Sequence, residues 1–382
     1  MSDNVIYLDY SATTKTSKEV LDTFVKASTD FIGNPNSLHK LGVDAKNLID
    51  ASTLQISKLL NVSLKEVIYT SGASESNNLA IKGVCYRYKN RGKHIITTRL
   101  EHSSITATLA YLQNNGYDID FVKTDSNGRV DLDDLKSLIR DDTILVTIAS
   151  VNSEVGVLQP IEDIGKILKD YPKIYFHSDM TQSIGKIDIN LENVDMISFS
   201  AQKIYGLKGV GCLIKKENIV IDPIIHGGKS TTVYRSGTPA ISLIVSLSKA
   251  LRLVLDNRED NYNYVLNLNK YLKDKLEKNQ DIHINSNEYS IPHILNISIK
   301  GIKPETMLHA LEEEDIYIST QTACSNKASK SLAVYEVTKD EEYSKHSIRI
   351  SLSHLTTKSE LDIFYDILVK KIEELKEVYE SH

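Results

Sequence analysis

Between residue 66 and about residue 215, short β-rich runs alternate with helical patterns. This alternation restricts the fold most strongly, because it is typical of a mostly parallel sheet with helices on both faces. Residues 144–149 (ILVTIA) are almost continuously apolar, as expected for a strand that is covered on both sides. The predicted strands are 66–70, 94–98, 118–123, 143–150, 173–178, 196–200 and 210–214. The predicted helices between them include 76–88, 104–114, 132–139 and 161–169. We therefore predict an α/β fold built on a seven-stranded sheet.

The C-terminal part of the chain has a different pattern. A long amphipathic helix is predicted at 241–254, and strand-like runs follow at 291–299 and 347–352, before a last helix at 359–379. A length of 382 residues suits two domains. We predict a large α/β domain over residues 15–255 and a smaller α+β domain that combines residues 1–14 with 256–382.

Composition excludes several classes of protein. The 45 Lys and Arg residues against 51 Asp and Glu residues leave a formal charge of −6, which argues against direct nucleic-acid binding. No apolar run approaches the roughly 20 residues that span a bilayer, and the start, MSDN, does not resemble a signal peptide. The three cysteines form no CxxC motif, so we predict neither a disulfide framework nor a metal site. We expect a soluble, cytoplasmic enzyme with no membrane partner.

A lysine and an aspartate follow two of the predicted strands. Lys203 comes after the run 196–200, and Asp179 comes after the run 173–178. Because the carboxyl ends of parallel strands meet at one sheet edge, the two side chains can converge there. Such a pair suits pyridoxal phosphate (PLP), which needs a lysine for a Schiff base and an acid for its ring nitrogen. A solvated surface lysine and a helix N-cap aspartate are the alternative readings.

Two further segments have the composition of binding sites. Residues 70–76 (TSGASES) run from a predicted strand into a predicted helix, where backbone N–H groups and small hydroxyls can bind a phosphate or simply cap the helix. Arg349 lies in the strand-like run 347–352 and can bind a substrate carboxylate in bidentate fashion. A structural ion pair is the alternative for this arginine.

The three cysteines have different surroundings. Cys85 and Cys212 lie in apolar helix and strand patterns and are predicted to be core residues. Cys324 lies in residues 319–331 (STQTACSNKASKS), which are small, polar and accompanied by lysines that favour the thiolate. Cys324 is therefore either a nucleophile or a surface thiol without a role.

Taken together, the motifs resemble those of the NifS/IscS-type cysteine desulfurases, which are class V aminotransferases of PLP fold type I. The resemblance runs nearly end to end through ordered strings. These are 7–14 (YLDYSATT), 33–35 (GNP) with His39, 70–80 (TSGASESNNLA), 101–102 (EH), 179–183 (DMTQS), 203–206 (KIYG), 235–238 (RSGT), 319–324 (STQTAC) and 347–349 (SIR).

The resemblance implies roles around the cofactor ring. Lys203 would form the Schiff base with PLP, and Asp179 would bind the pyridinium nitrogen. Gln182 would hydrogen-bond the ring hydroxyl, and His102 would stack on the ring and help to move protons.

The resemblance also implies roles at the two ends of the site. The phosphate would be bound by Ala73, Ser74 and Ser200, with Thr238 reaching in from the other subunit of a homodimer. Arg349 would hold the carboxylate of the substrate, L-cysteine. Cys324 would be the nucleophile that forms the persulfide, in a segment before Arg349 whose length is similar to the NifS/IscS branch.

Three departures from the family pattern accompany these matches. Gln202 stands directly before the lysine where the family has His, so the cofactor contact at this position must differ. The Asn of an Asn-x-x-Gly substrate site is replaced by Ser153, with Asn152 adjacent to it. Residues 229–234 (KSTTVY) replace a Gly-rich stretch that carries Glu and Arg.

The resemblance implies a PLP-dependent cysteine desulfurase that releases L-alanine and leaves a persulfide on Cys324. Because His382 follows soon after the last predicted helix, we expect the chain to lack the C-terminal extension with which IscS-type enzymes bind their iron–sulfur scaffold. A tRNA 4-thiouridine-type sulfurtransferase is thus the preferred sulfur acceptor, and thiamine synthesis or an iron–sulfur scaffold remain open. The alternatives are another class V reaction (aminotransfer or selenocysteine lysis) or a degenerate PLP-binding interaction protein.

Overall fold

A seven-stranded sheet forms the centre of the computed structural model, which describes residues 5–320 and 330–380. The strands in chain order are β1 (Ile6–Tyr7), β2 (Val67–Thr70), β3 (His94–Thr97), β4 (Asp118–Phe121), β5 (Thr143–Thr147), β6 (Tyr175–Asp179), β7 (Met196–Ser200), β8 (Gly211–Lys215), β9 (Ile282–Ile284), β10 (Ile294–Ile299), β11 (Ile316–Tyr317) and β12 (Ser347–Ser351). The α-helices are α1 (Lys18–Asp30), α2 (Lys40–Leu60), α3 (Ala73–Tyr88), α4 (Ser103–Asn114), α5 (Leu132–Leu138), α6 (Ile161–Leu168), α7 (Ile241–Asp256), α8 (Arg258–Leu276), α9 (Pro304–Glu312), α10 (Leu332–Thr338), α11 (Glu341–Lys345) and α12 (Lys358–Glu380).

The central sheet has the strand order β2-β8-β7-β6-β5-β3-β4. Strand β8 runs antiparallel to both of its neighbours, and the other pairs are parallel. The prediction of a mostly parallel, seven-stranded sheet is therefore confirmed. All strands of this sheet except β4 are buried along their whole length or nearly so, which explains their apolar sequences.

The predicted strand 143–150 ends earlier than expected, at Thr147. The N–H group of Ala149 donates to the Glu101 carboxylate (3.0 Å) rather than to a neighbouring strand. On its other side the chain still follows β6, because the N–H groups of Ile148 and Ser150 donate to His177 O (3.1 Å) and Asp179 O (2.9 Å). The pairing with β3 thus ends at Thr147, and Ala149 lines the cavity described below. This departure arises from a contact between distant residues, which strand patterns do not reveal.

Helix α1 was not predicted, and its surface explains why. Only Val20 and Ala27 of this helix are buried, while Leu21 and Val25 are about half exposed. Its apolar residues therefore do not form a single stripe with helical spacing that faces the core. The structure also adds α2 and α8, neither of which the sequence analysis identified.

The buried apolar residues separate into distinct clusters. Two clusters cover the central sheet, and their buried apolar residues all lie between Val20 and Val254 in the sequence. Another cluster combines Ile6 and Leu8 with buried residues between 265 and 372 around the small sheet β12-β10-β9. This arrangement agrees with joining residues 1–14 to the C-terminal region, although the domain bounds stay a prediction. Among the described residues, no helix is both long and apolar enough to cross a membrane.

Candidate active site

Most of the predicted site residues line one cavity of about 390 Å³ at the carboxyl edge of the central sheet. Those that line it are Ala73, Ser74, His102, Ser153, Asp179, Gln182, Ser200, Gln202, Lys203 and Arg349. Asp179 and Ser200 end the adjacent strands β6 and β7, as expected for a site built where parallel strands end. The structure therefore brings together residues that lie as much as 276 positions apart in sequence (73 to 349).

Lys203 is held by backbone carbonyls from the N-terminal segment. It ends a short 3₁₀ turn after β7, and its Nζ donates to Ser11 O (2.6 Å) and Ala12 O (2.5 Å). Thr14 holds this segment against the turn, because its N–H and Oγ1 both donate to Gln202 O (2.9 Å each). The amine is thereby directed into the cavity wall rather than into solvent.

Asp179 is buried, with 6% of its surface exposed, and both of its carboxylate oxygens accept hydrogen bonds. Oδ2 accepts from Asn77 Nδ2 (2.8 Å), and Oδ1 accepts from the backbone N–H of Thr181 (2.9 Å). His177, on the same strand, donates or accepts through its ring nitrogens at Thr147 and Ser198, and burial lowers its pKa to about 4. The carboxylate thus rests on a rigid, neutral layer of the sheet.

His102 caps the N-terminus of α4. Its Nδ1 accepts the backbone N–H of Ser104 (3.1 Å), and its ring lines the cavity. Burial lowers the pKa of His102 below its ordinary value; the nearby Asp179 opposes this effect, and Lys203 adds to it. The imidazole is therefore neutral at neutral pH.

The turn from β2 into α3 has the features of an anion-binding site. The N-cap residue, Gly72, supplies no side-chain cap, so the first N–H groups of this 16-residue helix are left for another acceptor. Gly211 on β8 approaches so closely that a Cβ atom there would lie 2.6 Å from Gly72 Cα. Glycine at 211 is thus required to pack the turn against the sheet. Ser200 Oγ lies beside the same turn.

Glu75 stabilises this turn from within the first turn of α3. Its carboxylate accepts from the N–H of Ser71 (2.7 Å) and from Arg235 Nε (2.8 Å). Arg235 begins the string 235–238, so the ion pair joins the loop before α7 to the anion-binding turn.

Arg349 lies on β12 with 2% of its surface exposed. Its Nη2 donates to Asp9 Oδ1 (2.9 Å), and its Nη1 donates to Ser153 O (2.9 Å). Its Nε is buried and has no hydrogen-bond partner within residues 5–320 and 330–380. The guanidinium is thus held on two sides, and these bonds use two of its five N–H groups.

Three residues that line the cavity carry a buried polar atom without a hydrogen-bond partner in the described part of the chain. These atoms are Ser11 Oγ, Thr181 Oγ1 and Arg349 Nε. Buried polar groups in folded proteins are nearly always paired, so the residues around this cavity leave hydrogen-bonding capacity that the described chain does not use.

Three predicted residues do not lie in the cavity of the described structure. Asn152 is buried, but its amide binds Leu100 O (3.0 Å) and the backbone N–H groups of Glu154 and Val155 (2.9 and 2.8 Å). It builds a turn, so we do not retain it as a substrate-binding residue. Thr238 is exposed, away from the cavity of its own chain. Cys324 lies outside the described residues.

Sequence reasoning assigned no role to several residues at the site. They are Asp9, Ser11, Ala12, Asn77 and Thr181. All five lie within strings that carried the family resemblance, namely 7–14, 70–80 and 179–183. Membership of these strings was thus the signal that could have identified the five residues. The strings do not reveal which contacts each residue makes.

Comparisons with known proteins agree with this geometry. The family model Aminotransferase class-V matches residues 6–364. The chain is 36% identical over 378 residues to "Cysteine desulfurase IscS" of Dictyoglomus turgidum, covering 98% of this chain and 96% of that protein. The solved structure of a "NIFS-LIKE PROTEIN" superposes with a TM-score of 0.91 at 34% identity, covering 98% of this chain and all of that one. The structure "SspA in complex with cysteine" has a TM-score of 0.81 at 30% identity and covers 92% and 100% of the two chains.

Proposed function

The chain belongs to the class-V aminotransferase family and is a PLP-dependent cysteine desulfurase, and from this premise we propose which of its residues perform the reaction. The observation that carries the proposal is the cavity itself. Within it, an amine (Lys203), a buried carboxylate (Asp179), an uncapped helix end and a partly unpaired guanidinium (Arg349) face one space.

The residues present fit PLP at both ends of the cavity. The uncapped start of α3, with Ala73, Ser74 and Ser200, suits its phosphate, because N–H groups and a hydroxyl bind anions there. The Asp179 carboxylate suits a ring N–H, and the unpartnered Thr181 Oγ1 lies in the same wall. When bound, PLP joins an amine covalently and withdraws electrons from the substrate carbon next to that amine.

The proposed roles of the protein residues around the PLP ring follow from their hydrogen bonds. Asp179 accepts the ring N–H and keeps that nitrogen protonated, while Asn77 and Thr181 orient its carboxylate. Gln182 donates one N–H to Ser11 O (2.9 Å), and its second N–H is available for the ring hydroxyl. Lys203 Nζ would hold the cofactor, and Lys203 or His102, whose ring lines the same cavity, would move the proton at the substrate α-carbon.

Gln202 replaces the histidine that the family pattern has before the lysine. It lines the cavity, and its backbone carbonyl is engaged by Thr14. We propose that its side-chain amide supplies an uncharged hydrogen bond to the phosphate end.

Substrate binding is proposed for Arg349 and Ser153. Arg349 binds the L-cysteine carboxylate through the guanidinium N–H groups that Asp9 and the carbonyl of Ser153 leave over, while these two partners hold it in place. A carboxylate bound by a guanidinium fixes the direction of the rest of the substrate.

The sulfur-transfer step is proposed for Cys324. Its thiolate forms an S–S bond to the substrate sulfur as the substrate Cβ–S bond breaks. The electron pair of the broken bond stays with the substrate carbon, which takes up a proton to give alanine. The product on the enzyme is a persulfide. A free thiol has a pKa of about 8.5, so a nearby base or positive charge must favour the thiolate.

The assignment of Arg349 predicts a change in KM. We expect Arg349→Gln to raise the KM for L-cysteine by roughly 10- to 100-fold, because a charge-assisted hydrogen bond contributes about 1.5–3 kcal/mol. The measurement is the initial rate of L-alanine release from L-cysteine by purified, PLP-loaded protein with reductant. Arg252→Gln on α7, outside the cavity lining, is the matched control and should retain the KM. An unchanged KM in Arg349→Gln would contradict the assignment.

We also propose that the enzyme is a homodimer in which Thr238 completes the partner's phosphate site. Three exposed apolar side chains support the burial of part of this chain against a second copy. Leu38 is 97% exposed, Ile32 is 76% exposed, and Val233, in the same loop as Thr238, is 63% exposed.

If the enzyme is a homodimer, a charged side chain in place of an exposed apolar one should weaken the association of its two subunits. We expect Leu38→Asp to convert a dimeric protein to monomers and to weaken PLP binding, since Thr238 would no longer reach the neighbouring site. Light scattering after size exclusion and a PLP titration measure the two effects. Ile363→Asp, on the exposed side of α12 (46% exposed), is the control. A wild-type protein that is monomeric at micromolar concentration would exclude the proposal.

We propose a tRNA 4-thiouridine-type sulfurtransferase as the preferred acceptor of the persulfide sulfur. The support is the resemblance of residues 319–325 (STQTACS) to the cysteine segment of desulfurases that serve such an acceptor. An iron–sulfur scaffold is the competing acceptor, and the assay that separates the two is given in the Discussion.

A further inference from the structure

Asn77 and Ser104, to which no catalytic role is assigned above, connect Asp179 with His102. Asn77 lies on α3 and is fully buried. Its Nδ2 donates both to Asp179 Oδ2 (2.8 Å) and to Ser104 Oγ (3.0 Å). Ser104 is the second residue of α4, and its Oγ lies 2.9 Å from His102 Nδ1. The bonds therefore run without interruption from the carboxylate to the imidazole.

The orientation of the Asn77 amide follows from its neighbours. Its Oδ1 is buried and has no partner among the described residues, whereas its Nδ2 meets two oxygens. Exchanging the two atoms would place an acceptor against the Asp179 carboxylate, which has no hydrogen to donate when ionised. The amide must therefore present its nitrogen to Asp179.

The hydrogens in this series of bonds can be assigned in turn. Asn77 Nδ2 carries two hydrogens and uses one for each oxygen. Ser104 Oγ accepts one of them, which leaves its own hydrogen to donate to His102 Nδ1. The same Nδ1 also accepts the backbone N–H of Ser104 (3.1 Å). It therefore carries no proton, and the proton of the neutral ring lies on Nε2.

We propose that Asn77 and Ser104 are positioning residues that fix His102 as the Nε2–H tautomer and couple its orientation to that of Asp179, so that His102 enters the reaction as a proton donor. This proposal rests on the proposed role of His102 in proton transfer. The Asn77–Asp179 end of this network is buried and its His102 end is partly buried; because every donor named above is used, one arrangement is favoured, which is why the network can select one tautomer. Loss of either residue would weaken the donation from the Ser104 hydroxyl to Nδ1, while the backbone N–H of Ser104 continues to donate to it.

The test measures His102 in PLP-free protein, by NMR of ¹⁵N-labelled histidine over a pH series. A His102→Gln sample identifies the signal. Wild-type protein should show the Nε2–H form when neutral. Ser104→Ala should raise the proton affinity of His102 roughly tenfold, because one donor to the neutral ring is lost. Asn77→Ala should have an effect in the same direction, because the Ser104 hydroxyl then loses the donor that orients its hydrogen towards His102 Nδ1.

A double variant and a control separate coupling from general damage. Because both residues act through the same bond to Nδ1, Asn77→Ala with Ser104→Ala should match the single variants rather than add to them. Ser103→Ala, in the same first turn of α4, should leave the titration of His102 unchanged. Ser104→Ala removes a single hydroxyl, so it keeps the test available if Asn77→Ala does not fold.

A second measurement, the absorption of bound PLP, distinguishes the loss of Asn77 from the loss of Ser104. Of the two positioning residues, Asn77 is the one that hydrogen-bonds to Asp179, so Asn77→Ala should shift the pH dependence of the absorption of bound PLP more than Ser104→Ala does. An unmoved His102 titration in Ser104→Ala, or an Nδ1–H tautomer in the wild type, overturns the proposal. Because these measurements need no turnover, their result is distinct from any failure of desulfurase activity.

Discussion

Cys324→Ala is expected to lower the release of sulfur from L-cysteine by a factor on the order of 10³ or more, while the protein keeps its bound PLP. Alanine has no sulfur with which to accept the substrate sulfur, so no persulfide can form at this position. The measurement compares alanine and sulfide release with the visible absorption of the cofactor. Retention of full sulfur transfer by the variant would remove Cys324 from the mechanism, whereas keto-acid-dependent turnover that survives its loss would favour an aminotransferase.

The chain offers a matched control among its other cysteines. Cys85 and Cys212 are fully buried in α3 and β8, and burial raises the pKa of both thiols, so they are poor nucleophiles. Cys85→Ala should therefore retain sulfur transfer.

The same assay extends to the sulfur acceptor. With ³⁵S-labelled cysteine, label should pass from wild-type protein, and not from Cys324→Ala, to a 4-thiouridine-type sulfurtransferase. Faster transfer to an iron–sulfur scaffold protein would reverse the proposed preference.

Lys203→Ala is the second change with a large expected effect. We expect it to lower alanine release by a factor on the order of 10³ or more and to leave PLP bound only non-covalently. The reason is position: Nζ of Lys203 lies against Ser11 and Ala12 in the cavity wall, and the variant loses both the covalent attachment and the group that moves the α-proton. Borohydride reduction followed by mass spectrometry of the peptide that contains Lys203 measures the attachment.

Lys208→Ala is the control for this experiment. Lys208 lies five residues further along the chain and is exposed, outside the cavity lining. It should retain covalent labelling and alanine release. Covalent labelling that persists in Lys203→Ala would show that another amine binds the cofactor.

The strands of the central sheet were the most predictable part of the fold. The predicted run 196–200 coincides with β7 (Met196–Ser200), because a strand covered on both faces needs apolar residues throughout. Helix α1 could not be predicted in this way, since it exposes much of its apolar surface. The spacing of apolar residues predicts an element well when one whole face of it is buried against the core. It predicts a helix poorly when only a few of its residues are buried.

The choice between neighbouring residues also needed the structure. Asn152 and Ser153 are adjacent, and both were candidates for substrate binding. The side-chain amide of Asn152 forms the hydrogen bonds that build the turn. Ser153, by contrast, lines the cavity, and its carbonyl accepts a hydrogen bond from Arg349. Adjacent residues of an irregular turn can point in different directions, and no spacing rule separates them.

By itself, the sequence determined the class of fold, the family, and the kinds of group that the chemistry requires, because these depend on local patterns and on ordered motifs. Only the tertiary structure decided which groups meet. The Arg349–Asp9 ion pair joins residues 340 positions apart, and Lys203 is held by Ser11 from 192 positions away. Such contacts depend on how the N-terminal segment and β12 return to the edge of the sheet. That path is set by the packing of the whole chain, and no local pattern contains it.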